Sequence, residues 1–523
     1  MYPGKFAQQV PDRPAIIMAG SGEALSHGEL EQRSNRLAHL LRAQGLQRLD
    51  HYAVFMENNL PYVECCVAGE RAGLYYTCIN SYLKADELAY ILDNSESRVL
   101  ITSQARLPVA LEALELCPAV RLCLVVGDGT ELPVPAAGAA TIAPYEQAIA
   151  VFPTSRITDE SLGAAMLYSS GTTGRPKGIL RPLPDNPPDQ PLPLFAFLHT
   201  LWHGREGMVY LSPAPLYHSA PLSSINITLR NGGTAIIMEH FDAEQYLALV
   251  ERYRVTHSQL VPTMFNRMLK LAPEVRARHD LSSLEIAIHA AAPCPVPVKE
   301  QMIAWWGPII HEYYGATEGM GITACDTPEW LAHRGTVGRV LLGDLHILDA
   351  AGQPVPMGTP GEIWFKTANP FVYYKDPERT ALTRSADGSM TTVGDMGYVD
   401  ADGYLYLTDR SSFMIISGGV NIYPQECENL LVTHAQVADA AVFGVPHEDL
   451  GEVVHAVVQL VDGASPGPAL AQALIAFCQQ HLARHKCPRA VDFIDEMPRL
   501  PTGKLYKRGL RDTYWTGHSS RIA

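Results

Sequence analysis

Short runs of β-branched and apolar residues alternate with amphipathic stretches across the first 400 residues of this chain of 523 residues. The apolar runs include residues 98–102, 122–126, 164–169, 234–238 and 285–289. Such alternation is typical of parallel strands joined by crossover helices, because each new strand needs a return connection across the sheet. The sequence therefore predicts an α/β fold with parallel sheets in this part of the chain.

The pattern changes near Gly335, after which short strands and turns predict a small antiparallel β subdomain. The segment beyond Asp409 has helix signals of its own at residues 424–431 and 468–482, and it is long enough for a small independent α+β domain. Two stretches, residues 127–140 and the proline-rich residues 181–194, are predicted to be surface loops.

The overall charge restricts the kinds of partner. Lys and Arg number 40 against 55 Asp and Glu, which gives a net charge of -15 and disfavours general binding to nucleic acid or to an anionic membrane. The ten cysteines include no CxxC pair, which favours reduced thiols. The start of the chain does not resemble a secretory signal, and no run of 18 apolar residues occurs. We therefore expect a cytoplasmic protein without a membrane span.

The most informative motif is LYSSGTTGRPKG at residues 167–178, which follows an apolar run. Its glycines allow backbone N–H groups to approach a phosphate, its hydroxyls can donate hydrogen bonds, and its two cations can balance negative charge. The spacing differs from GxxxxGK[ST], because Pro176 stands where that motif requires glycine. It also differs from GxSxG, because Tyr168 stands where that motif requires its first glycine. A plain glycine-rich turn between a strand and a helix is the alternative interpretation.

Three later motifs carry further candidate groups. YGATE at residues 314–318 offers the Thr317 hydroxyl and the Glu318 carboxylate, which suit a phosphate donor beside a Mg²⁺ ligand. VGDMGY at residues 393–398 places Asp395 between two glycines, where it could accept hydrogen bonds from ribose hydroxyls or cap a β-turn. PTGK at residues 501–504 puts Lys504 on a turn near the C-terminus.

Taken in order, these motifs resemble the adenylate-forming superfamily of acyl-CoA synthetases, peptide-synthetase adenylation domains and beetle luciferases. PLYHSAP at residues 215–221, HAAAPCP at 289–295, GTVGR at 335–339 and TDR with ISGGVNIYP at 408–424 match as well. The likeness covers nearly the whole chain, and the joint match is specific. Residues 72–92 are similar to the helical region that precedes the nucleotide loop in this superfamily.

The resemblance implies a role for each matching position. The loop expected over the β- and γ-phosphates comprises Ser169, Ser170, Gly171, Thr172, Thr173 and Lys177. The residues expected around the adenine are Ala291, Ala292, Pro293, Glu312, Tyr313 and Tyr314. The expected catalytic and ribose-binding groups are Thr317 at the α-phosphate, Glu318 on Mg²⁺, Asp395 and Arg410 on the ribose, and Lys504 as the catalytic lysine.

The resemblance also implies ATP, Mg²⁺ and CoA as cofactor and substrates, and a division into three parts. These are a large N-terminal domain at residues 1–408, a hinge at 409–412 and a small mobile C-terminal domain at 413–523. At the hinge, Ser412 stands where much of the superfamily has Lys or Asp, and permissive backbone torsions rather than charge are what a hinge needs. Gly418 and Gly419 are expected to approach the pantetheine arm of CoA, although they could form a β-bulge instead.

The acyl pocket is implied by a further set of positions. Tyr217 and His218 resemble the aromatic residue and the histidine that form a gate in aryl- and fatty-acyl-CoA ligases. The resemblance also implies a catalytic role for His218. A histidine that only packs in the core is the alternative interpretation. Gly315 occupies the place of a bulky tryptophan in acetate-specific relatives, which leaves the pocket floor open. The expected apolar walls are Val261, Met264, Ala290 and Ala291. Tyr313 adds bulk where several aryl ligases have glycine, which favours a fatty, branched or side-chain acid.

The leading hypothesis is an AMP-forming acid–CoA ligase for an apolar monocarboxylic acid, with a medium- or long-chain or branched fatty acid favoured. An aryl acid–CoA ligase of the 4-coumarate, ferulate or benzoate type is one alternative, and an acyl-AMP ligase that delivers to a carrier-protein thiol is another. A noncatalytic nucleotide-binding homologue is disfavoured because Thr317, Glu318, Asp395, Arg410 and Lys504 are all present. A homodimer is considered among the assemblies.

Overall fold

The structure is a computed structural model, and it describes residues 1–128, 132–133, 139–169, 175–368, 370–410, 413–499 and 505–515. Up to residue 169 its elements are α1 (Gly4–Gln9), β1 (Pro14–Met18), β2 (Ala24–Ser26), α2 (His27–Ala43), β3 (His51–Phe55), α3 (Leu60–Arg71), β4 (Tyr75–Cys78), α4 (Ala85–Asn94), β5 (Val99–Ser103), α5 (Leu107–Glu115), β6 (Leu122–Val126), β7 (Thr141–Pro144), α6 (Tyr145–Ala150) and β8 (Ala164–Ser169). The next are β9 (Lys177–Ile179), α7 (Pro193–Leu201), β10 (Val209–Ser212), α8 (Ser219–Arg230), β11 (Thr234–Ile237), α9 (Ala243–Tyr253), β12 (His257–Leu260), α10 (Pro262–Leu269), α11 (Pro273–Arg276), β13 (Ile286–His289), α12 (Val296–Trp306) and β14 (Ile310–Gly315).

The remaining elements follow β14. They are β15 (Ile322–Cys325), α13 (Thr327–Ala332), β16 (Arg339–Leu342), β17 (Asp344–Leu348), β18 (Gly361–Lys366), α14 (Pro377–Ala381), β19 (Asp395–Val399), β20 (Leu405–Arg410), β21 (Ile415–Ser417), β22 (Val420–Ile422), α15 (Pro424–Leu431), β23 (Val437–His447), β24 (Gly451–Leu460), α16 (Pro468–His481), a 3₁₀ turn (Arg484–Lys486), β25 (Ala490–Ile494) and α17 (Lys507–Tyr514). The chain forms two compact units. The first comprises Met1–Leu260, Leu271–Ile288 and Phe371–Thr380, and the second comprises Val261–Lys270, His289–Pro370 and Ala381–Ala523.

The first unit contains parallel sheets. Strands β7, β6, β5, β3, β4, β8 and β9 follow one another in a sheet that is parallel except at the β8–β9 edge. In another sheet, β12, β10, β11 and β1 are parallel neighbours and β2 is added antiparallel. Phe55, Leu100 and Val125 of the former sheet are buried against Leu88 and Ala110 of helices α4 and α5. The strands between helices thus bury apolar side chains, as parallel sheets require.

The second unit contains antiparallel ladders. Strands β14, β15 and β16 form one ladder, and β17, β18, β19 and β20 form a separate antiparallel sheet. Near the C-terminus, β22, β21, β24 and β23 are antiparallel neighbours, and β25 joins β24 in parallel. Leu431 of α15 and Leu474 of α16 are buried in the core of this last sheet. The predicted fold class, α/β with parallel sheets, an antiparallel β part and a small α+β C-terminal part, is confirmed.

Local signals explain where several helices begin. Ser26 accepts a hydrogen bond from the backbone N–H of Glu29, and the Glu29 carboxylate accepts one from the Ser26 N–H, which forms a capping box at the start of α2. At the start of α9, the Asp242 carboxylate accepts a single capping hydrogen bond from the Gln245 N–H at 2.7 Å. Within the described residues, no helix is both long enough and apolar enough to cross a bilayer.

The predicted strands agree with the structure to within one residue at each end. Residues 72–92 differ, because strand β4 precedes helix α4 there and only the second half is helical. The β-branched and aromatic residues Tyr75, Tyr76 and Thr77 are fully or almost fully buried between neighbouring strands, which favours a strand over a helix. The proline-rich loop ends earlier than predicted, because Pro193 occupies the first turn of α7, where proline is tolerated.

Candidate active site

The two described ends of the glycine-rich motif lie on paired strands. Strands β8 and β9 pair antiparallel, with Ser169 opposite Lys177 and Tyr168 opposite Gly178. The motif therefore does not lead from a strand into a helix, and the predicted loop is instead closed at its base by two paired strands. Ser170, Gly171, Thr172 and Thr173, which the sequence predicts to bind phosphate, lie outside the described residues.

Each of the two cations of the motif lies close to one aromatic ring. The Lys177 ammonium lies 4.7 Å from the ring centroid of Tyr373, and the Arg175 guanidinium lies 5.0 Å from that of Tyr90. The Tyr374 N–H donates to the Gly178 carbonyl at 2.8 Å, which ties the neighbouring segment to β9. A cation over an aromatic face is attracted by the negative potential of the ring. The described part of the motif therefore carries two cations, each close to an aromatic ring.

A hydrogen-bonded group of three side chains occupies the second unit. The Tyr314 hydroxyl donates to Oδ2 of Asp395 at 2.8 Å, and Nε of Arg410 lies 2.9 Å from Oδ1 of the same carboxylate. Asp395 and Arg410 are opposite each other on β19 and β20, and Tyr314 lies on β14. Tyr314 and Asp395 are 81 positions apart in the sequence, and the structure brings their side chains into contact. Both predicted ribose ligands and one predicted adenine neighbour belong to this group.

The electrostatics of the group follow from burial and from the shared carboxylate. Burial raises the pKa of Tyr314 well above its ordinary value, and Asp395 raises it further. Asp395 is also the main cause of the raised pKa of Arg410, with smaller contributions from Tyr314 and Glu318. At neutral pH the tyrosine is therefore a neutral donor and the arginine a permanent cation. Oxygen lone pairs on Asp395 remain available for hydroxyl donors from a ligand.

Glu318 and Thr317 lie on the turn that follows β14. The Gly319 N–H donates to the Ala316 carbonyl at 2.9 Å, and Gly319 adopts a φ of 77°, which favours glycine. Glu318 is half-buried, and its negative charge raises the pKa values of Tyr314 and Arg410. Carboxylate oxygens are preferred Mg²⁺ ligands, so this position fits the predicted metal ligand.

The predicted adenine segment has an unusual backbone. Ala291 adopts a φ of 73°, which is uncommon for a residue with a Cβ, and such strained residues are enriched at functional sites. Ala290 is buried, Ala291 is exposed, and Ala292 and Pro293 are half-buried. The segment therefore bends as it leaves β13, and Ala291 at the bend is exposed.

Glu312 makes a contact that the sequence analysis missed. Its Oε2 lies 2.5 Å from the Lys299 ammonium and 3.4 Å from Nε2 of His289, and all three side chains are buried. Burial raises the pKa of Glu312, and the lysine opposes this shift. Burial and Lys299 together hold the pKa of His289 well below its ordinary value, so the imidazole is neutral. The sequence does contain a signal for this pair, because Lys299 lies on α12 among the apolar residues Val298 and Met302, and a buried lysine requires a partner of opposite charge.

Gly315, the predicted pocket floor, is the exposed last residue of β14. A Cβ there would lie 3.4 Å from the Gly321 carbonyl oxygen, 3.6 Å from Ile322 and 3.9 Å from Tyr313, which are ordinary contact distances. A side chain is therefore compatible with the backbone at this position. The predicted walls Val261, Met264 and Ala290 belong to the same unit and are buried.

The predicted gate lies just before helix α8 in the first unit. The rings of Tyr217 and His218 are 4.3 Å apart, and Tyr217 is buried, which raises its pKa. Asn58, which the sequence analysis missed, accepts the Leu216 N–H at 2.9 Å and donates to the Ala214 carbonyl at 3.2 Å. This buried amide fixes the turn that carries the two rings.

Gly418 and Gly419 form the two-residue turn between β21 and β22, where Ser417 pairs with Val420. Their φ values of 57° and 80° are typical of a type I′ hairpin turn, so the alternative of a β-bulge is wrong. Both glycines are exposed, and a Cβ on Gly419 would meet nothing within 4 Å. The hinge residue Ser412 and the predicted catalytic residue Lys504 lie outside the described residues.

Comparisons with known proteins agree over nearly the whole chain. The family model described as AMP-binding enzyme matches residues 4–374, and the one described as AMP-binding enzyme C-terminal domain matches residues 426–504. A fatty acid–[acyl-carrier-protein] ligase of Streptomyces coeruleorubidus is 31% identical over 98% of this chain and 96% of that protein. A feruloyl-CoA synthase of an Amycolatopsis species is 32% identical over 98% of both. The structure of ATP-bound MatB from Rhodopseudomonas palustris is 29% identical, with a TM-score of 0.78 over 98% of this chain and 99% of that one.

Proposed function

We propose, on the premise that this chain belongs to the AMP-binding enzyme family, that it activates an apolar monocarboxylic acid as acyl-AMP and transfers the acyl group to CoA. Family membership confirms the recognised superfamily and the predicted class of enzyme, an AMP-forming acyl-CoA synthetase that uses ATP, Mg²⁺ and CoA. In the first half-reaction the carboxylate attacks the α-phosphorus and pyrophosphate leaves. In the second, the thiol attacks the acyl carbon, loses its proton and displaces AMP.

The observation that carries this proposal is the group formed by Tyr314, Asp395 and Arg410, with Glu318 close enough to influence two of them. We assign Asp395 and Arg410 to the ribose, since the carboxylate can accept hydrogen bonds from the ribose hydroxyls while the Arg410 guanidinium holds the carboxylate in place. The Tyr314 hydroxyl fixes the second carboxylate oxygen, so its ring is oriented beside the nucleotide. Side chains that are already held in place lose little conformational entropy when a ligand binds, which favours a single pose for ATP.

The remaining residues act on the phosphates and on the attacking carboxylate. Lys177 and the hydroxyl loop are assigned to the β- and γ-phosphates, Thr317 to the α-phosphate, and Glu318 to Mg²⁺. Bound Mg²⁺ would supply charge neutralisation for the leaving pyrophosphate. Lys504 is assigned between the carboxylate and the α-phosphate, where its ammonium offsets the repulsion between two anions.

The test is an assay of AMP and pyrophosphate release across a panel of carboxylic acids, with and without CoA. We expect pyrophosphate release with an accepted acid alone, and multiple turnovers with AMP release only when CoA is added. Turnover with a carrier-protein thiol but not with CoA would favour the second candidate function. That candidate has support from the similarity to the Streptomyces ligase, whose name specifies a carrier protein as acceptor.

For the acid itself, we propose a medium- or long-chain or branched fatty acid. Support comes from Gly315, which leaves the pocket floor without a side chain, and from the buried apolar residues Val261, Met264 and Ala290 of the same unit. An aryl acid is the alternative, and the similarity to a feruloyl-CoA synthase supports it. Tyr217 and His218 are assigned to the acyl path in either case. A cytoplasmic location and a homodimer remain predictions.

Replacing Glu318 with glutamine is expected to raise the Mg²⁺ concentration needed for half-maximal adenylation, because the amide oxygen is a weaker ligand than a carboxylate. The measurement is a Mg²⁺ titration of pyrophosphate release at saturating ATP and acid. The matched control is Glu300→Gln, since Glu300 lies on α12 in the same unit and pairs with Arg334 at 2.7 Å. Unchanged Mg²⁺ dependence in Glu318→Gln would remove this residue from the metal site.

We retain the domain division as a proposal, with an N-terminal domain at 1–408, a hinge at 409–412 and a C-terminal domain at 413–523. The separate family model over residues 426–504 supports it. Asp409 joins the two sides of the hinge in this structure, since its Oδ2 accepts the Gln425 N–H of α15 at 3.0 Å while its Oδ1 accepts the Arg410 N–H. Rotation at the hinge would have to release the first of these hydrogen bonds.

Replacing Gly419 with leucine is expected to slow thioester formation and to spare pyrophosphate release in a single turnover, because the side chain would narrow the path assigned to the pantetheine thiol. The φ of 80° adds backbone strain of about 1–2 kcal/mol. Gly463→Leu is the matched control, because Gly463 has a φ of 84° and open space around its Cβ position. Equal losses in the two half-reactions of Gly419→Leu would argue against a thiol path over this turn.

A further inference from the structure

A buried lysine on α12 is joined to the strand that carries Tyr314. The Lys299 ammonium lies 2.5 Å from Oε2 of Glu312, and the two side chains are only 0% and 5% exposed. The ring centroid of Trp330, which is also buried, lies 4.8 Å from the same ammonium. Helix α12 therefore holds the Glu312 carboxylate through a charge contact that is shielded from water.

Strand β14 places Glu312 and Tyr314 on one face. Ile310, Glu312 and Tyr314 are buried, whereas the residues between them are more exposed. Alternate residues of a strand point to the same side and lie about 7 Å apart. The Tyr314 hydroxyl donates to Oδ2 of Asp395 at 2.8 Å. The strand is thus held at two consecutive inward positions, by an ion pair to α12 and by a hydrogen bond to β19.

The histidine beside Glu312 cannot replace the lysine. Nε2 of His289 lies 3.4 Å from Oε2 of Glu312, and neither nitrogen of the buried ring has a hydrogen-bond partner among the described residues. Burial, with a contribution from Lys299, holds the pKa of His289 well below its ordinary value, so the imidazole is neutral. Burial raises the pKa of Glu312, and Lys299 opposes this shift. Loss of Lys299 would therefore leave a buried carboxylate without a cation, which is strongly disfavoured.

We propose that Lys299 is a positioning residue for the nucleotide site, acting through Glu312 on the strand that carries Tyr314. The proposal rests on the proposed function, in which Asp395 and Arg410 bind the ribose of ATP. Without the ammonium, the Glu312 carboxylate would have to take up a proton or move toward water, and either change removes the charge contact that fixes β14 on this side. A displaced β14 would draw the Tyr314 hydroxyl away from Asp395. Loss of one well-placed hydrogen bond to a charged group costs about tenfold or more in affinity.

The test is the affinity for ATP of Lys299→Met, measured by calorimetric titration with Mg²⁺ present and without any acid substrate. We expect the dissociation constant for ATP to rise at least about tenfold. In steady-state assays the KM for ATP should rise, while the KM values for the acid and for CoA stay within about twofold of wild type. Lys299→Arg should recover part of the ATP affinity, because it restores a cation at this position.

Two further variants separate positioning from stability. The double variant Lys299→Met with Glu312→Gln leaves no unpaired buried charge, so it serves if the single variant fails to fold, and it should also lose at least about tenfold in ATP affinity. Met302→Ala is the matched control, because Met302 is fully buried on the same helix and its truncation weakens packing without removing a charge. Its melting temperature should fall, but its ATP affinity should stay within about twofold of wild type.

Wild-type ATP affinity in Lys299→Met or in the double variant would overturn the positioning role. An equal loss of ATP affinity in Met302→Ala would also overturn it, since the effect would then follow stability alone. Asp395→Ala tests the ribose site itself. If Asp395→Ala binds ATP normally, the proposed ribose site is wrong and the role of Lys299 falls with it. Loss of affinity in Asp395→Ala alone leaves the proposed function standing without a role for Lys299.

Discussion

Replacement of Lys504 with alanine is expected to slow acyl-adenylate formation by about 10² or more. A carboxylate that attacks the α-phosphorus brings two anions together, and negative charge grows on the pentavalent centre. One preorganised cation or donor at such a centre contributes roughly 3 to 4 kcal/mol to transition-state stabilisation. Transfer of the acyl group from a supplied acyl-adenylate to CoA does not pass through that centre, so it should remain largely intact.

The measurement is pyrophosphate exchange for the first half-reaction and thioester formation from synthetic acyl-adenylate for the second. Lys486→Ala provides the control for loss of a lysine elsewhere in the C-terminal part, where the side chain is paired with Glu426. Equal losses in the two half-reactions of Lys504→Ala would refute the assignment. So would a loss of similar size in the control variant.

Replacement of Gly315 with tryptophan is expected to reverse the ranking of acid substrates. Each buried methylene contributes about 0.8 kcal/mol, so four extra carbons in an apolar channel favour the longer acid by roughly 3 kcal/mol, on the order of a hundredfold. Wild type should therefore prefer acids of six or more carbons over acetate by about that factor in kcat/KM. The indole should fill the channel and make acetate the better substrate, with the KM for ATP little changed.

The graded control is Gly315→Ala, because a Cβ at this position meets only ordinary contacts at 3.4 Å or more. That variant should fold normally and shift the preference only slightly, which separates loss of channel space from backbone disruption. A wild-type preference for acetate would contradict the proposed pocket floor. A tryptophan variant that still prefers long acids would indicate that Tyr313 or His218, rather than Gly315, sets the size limit of the acyl pocket.

Much of the fold was predictable because its signals lie in consecutive residues. The apolar runs 122–126 and 164–169 coincide with β6 and β8, and the helix signals at 424–431 coincide with α15. Proline and capping residues mark the ends of helices and strands through local steric and hydrogen-bonding effects, and these effects do not depend on residues that are distant in the sequence. Residues 72–92 were assigned less well, because burial between two neighbouring strands made β4 a strand where the resemblance suggested a helix.

The candidate nucleotide site was predictable as a set of residues but not as an arrangement. The motifs identified Tyr314, Asp395 and Arg410, yet only the pairing of β19 with β20 and the placement of β14 make them share one carboxylate. Likewise, the motif at 167–178 predicted a phosphate loop, and the antiparallel pairing of Ser169 with Lys177 decided that its base is a hairpin.

The sequence by itself determined the family, the strand and helix pattern and the identity of the groups that could carry chemistry, since these depend on short-range order and on motif spacing. The tertiary structure alone decided the partners of the buried charges, including Glu312 with Lys299 and Glu428 with Lys507. A buried charge requires a partner, but any of many opposite charges in the chain could satisfy that need. Which one does is settled only when the packing of apolar faces brings two segments together and excludes water from between them.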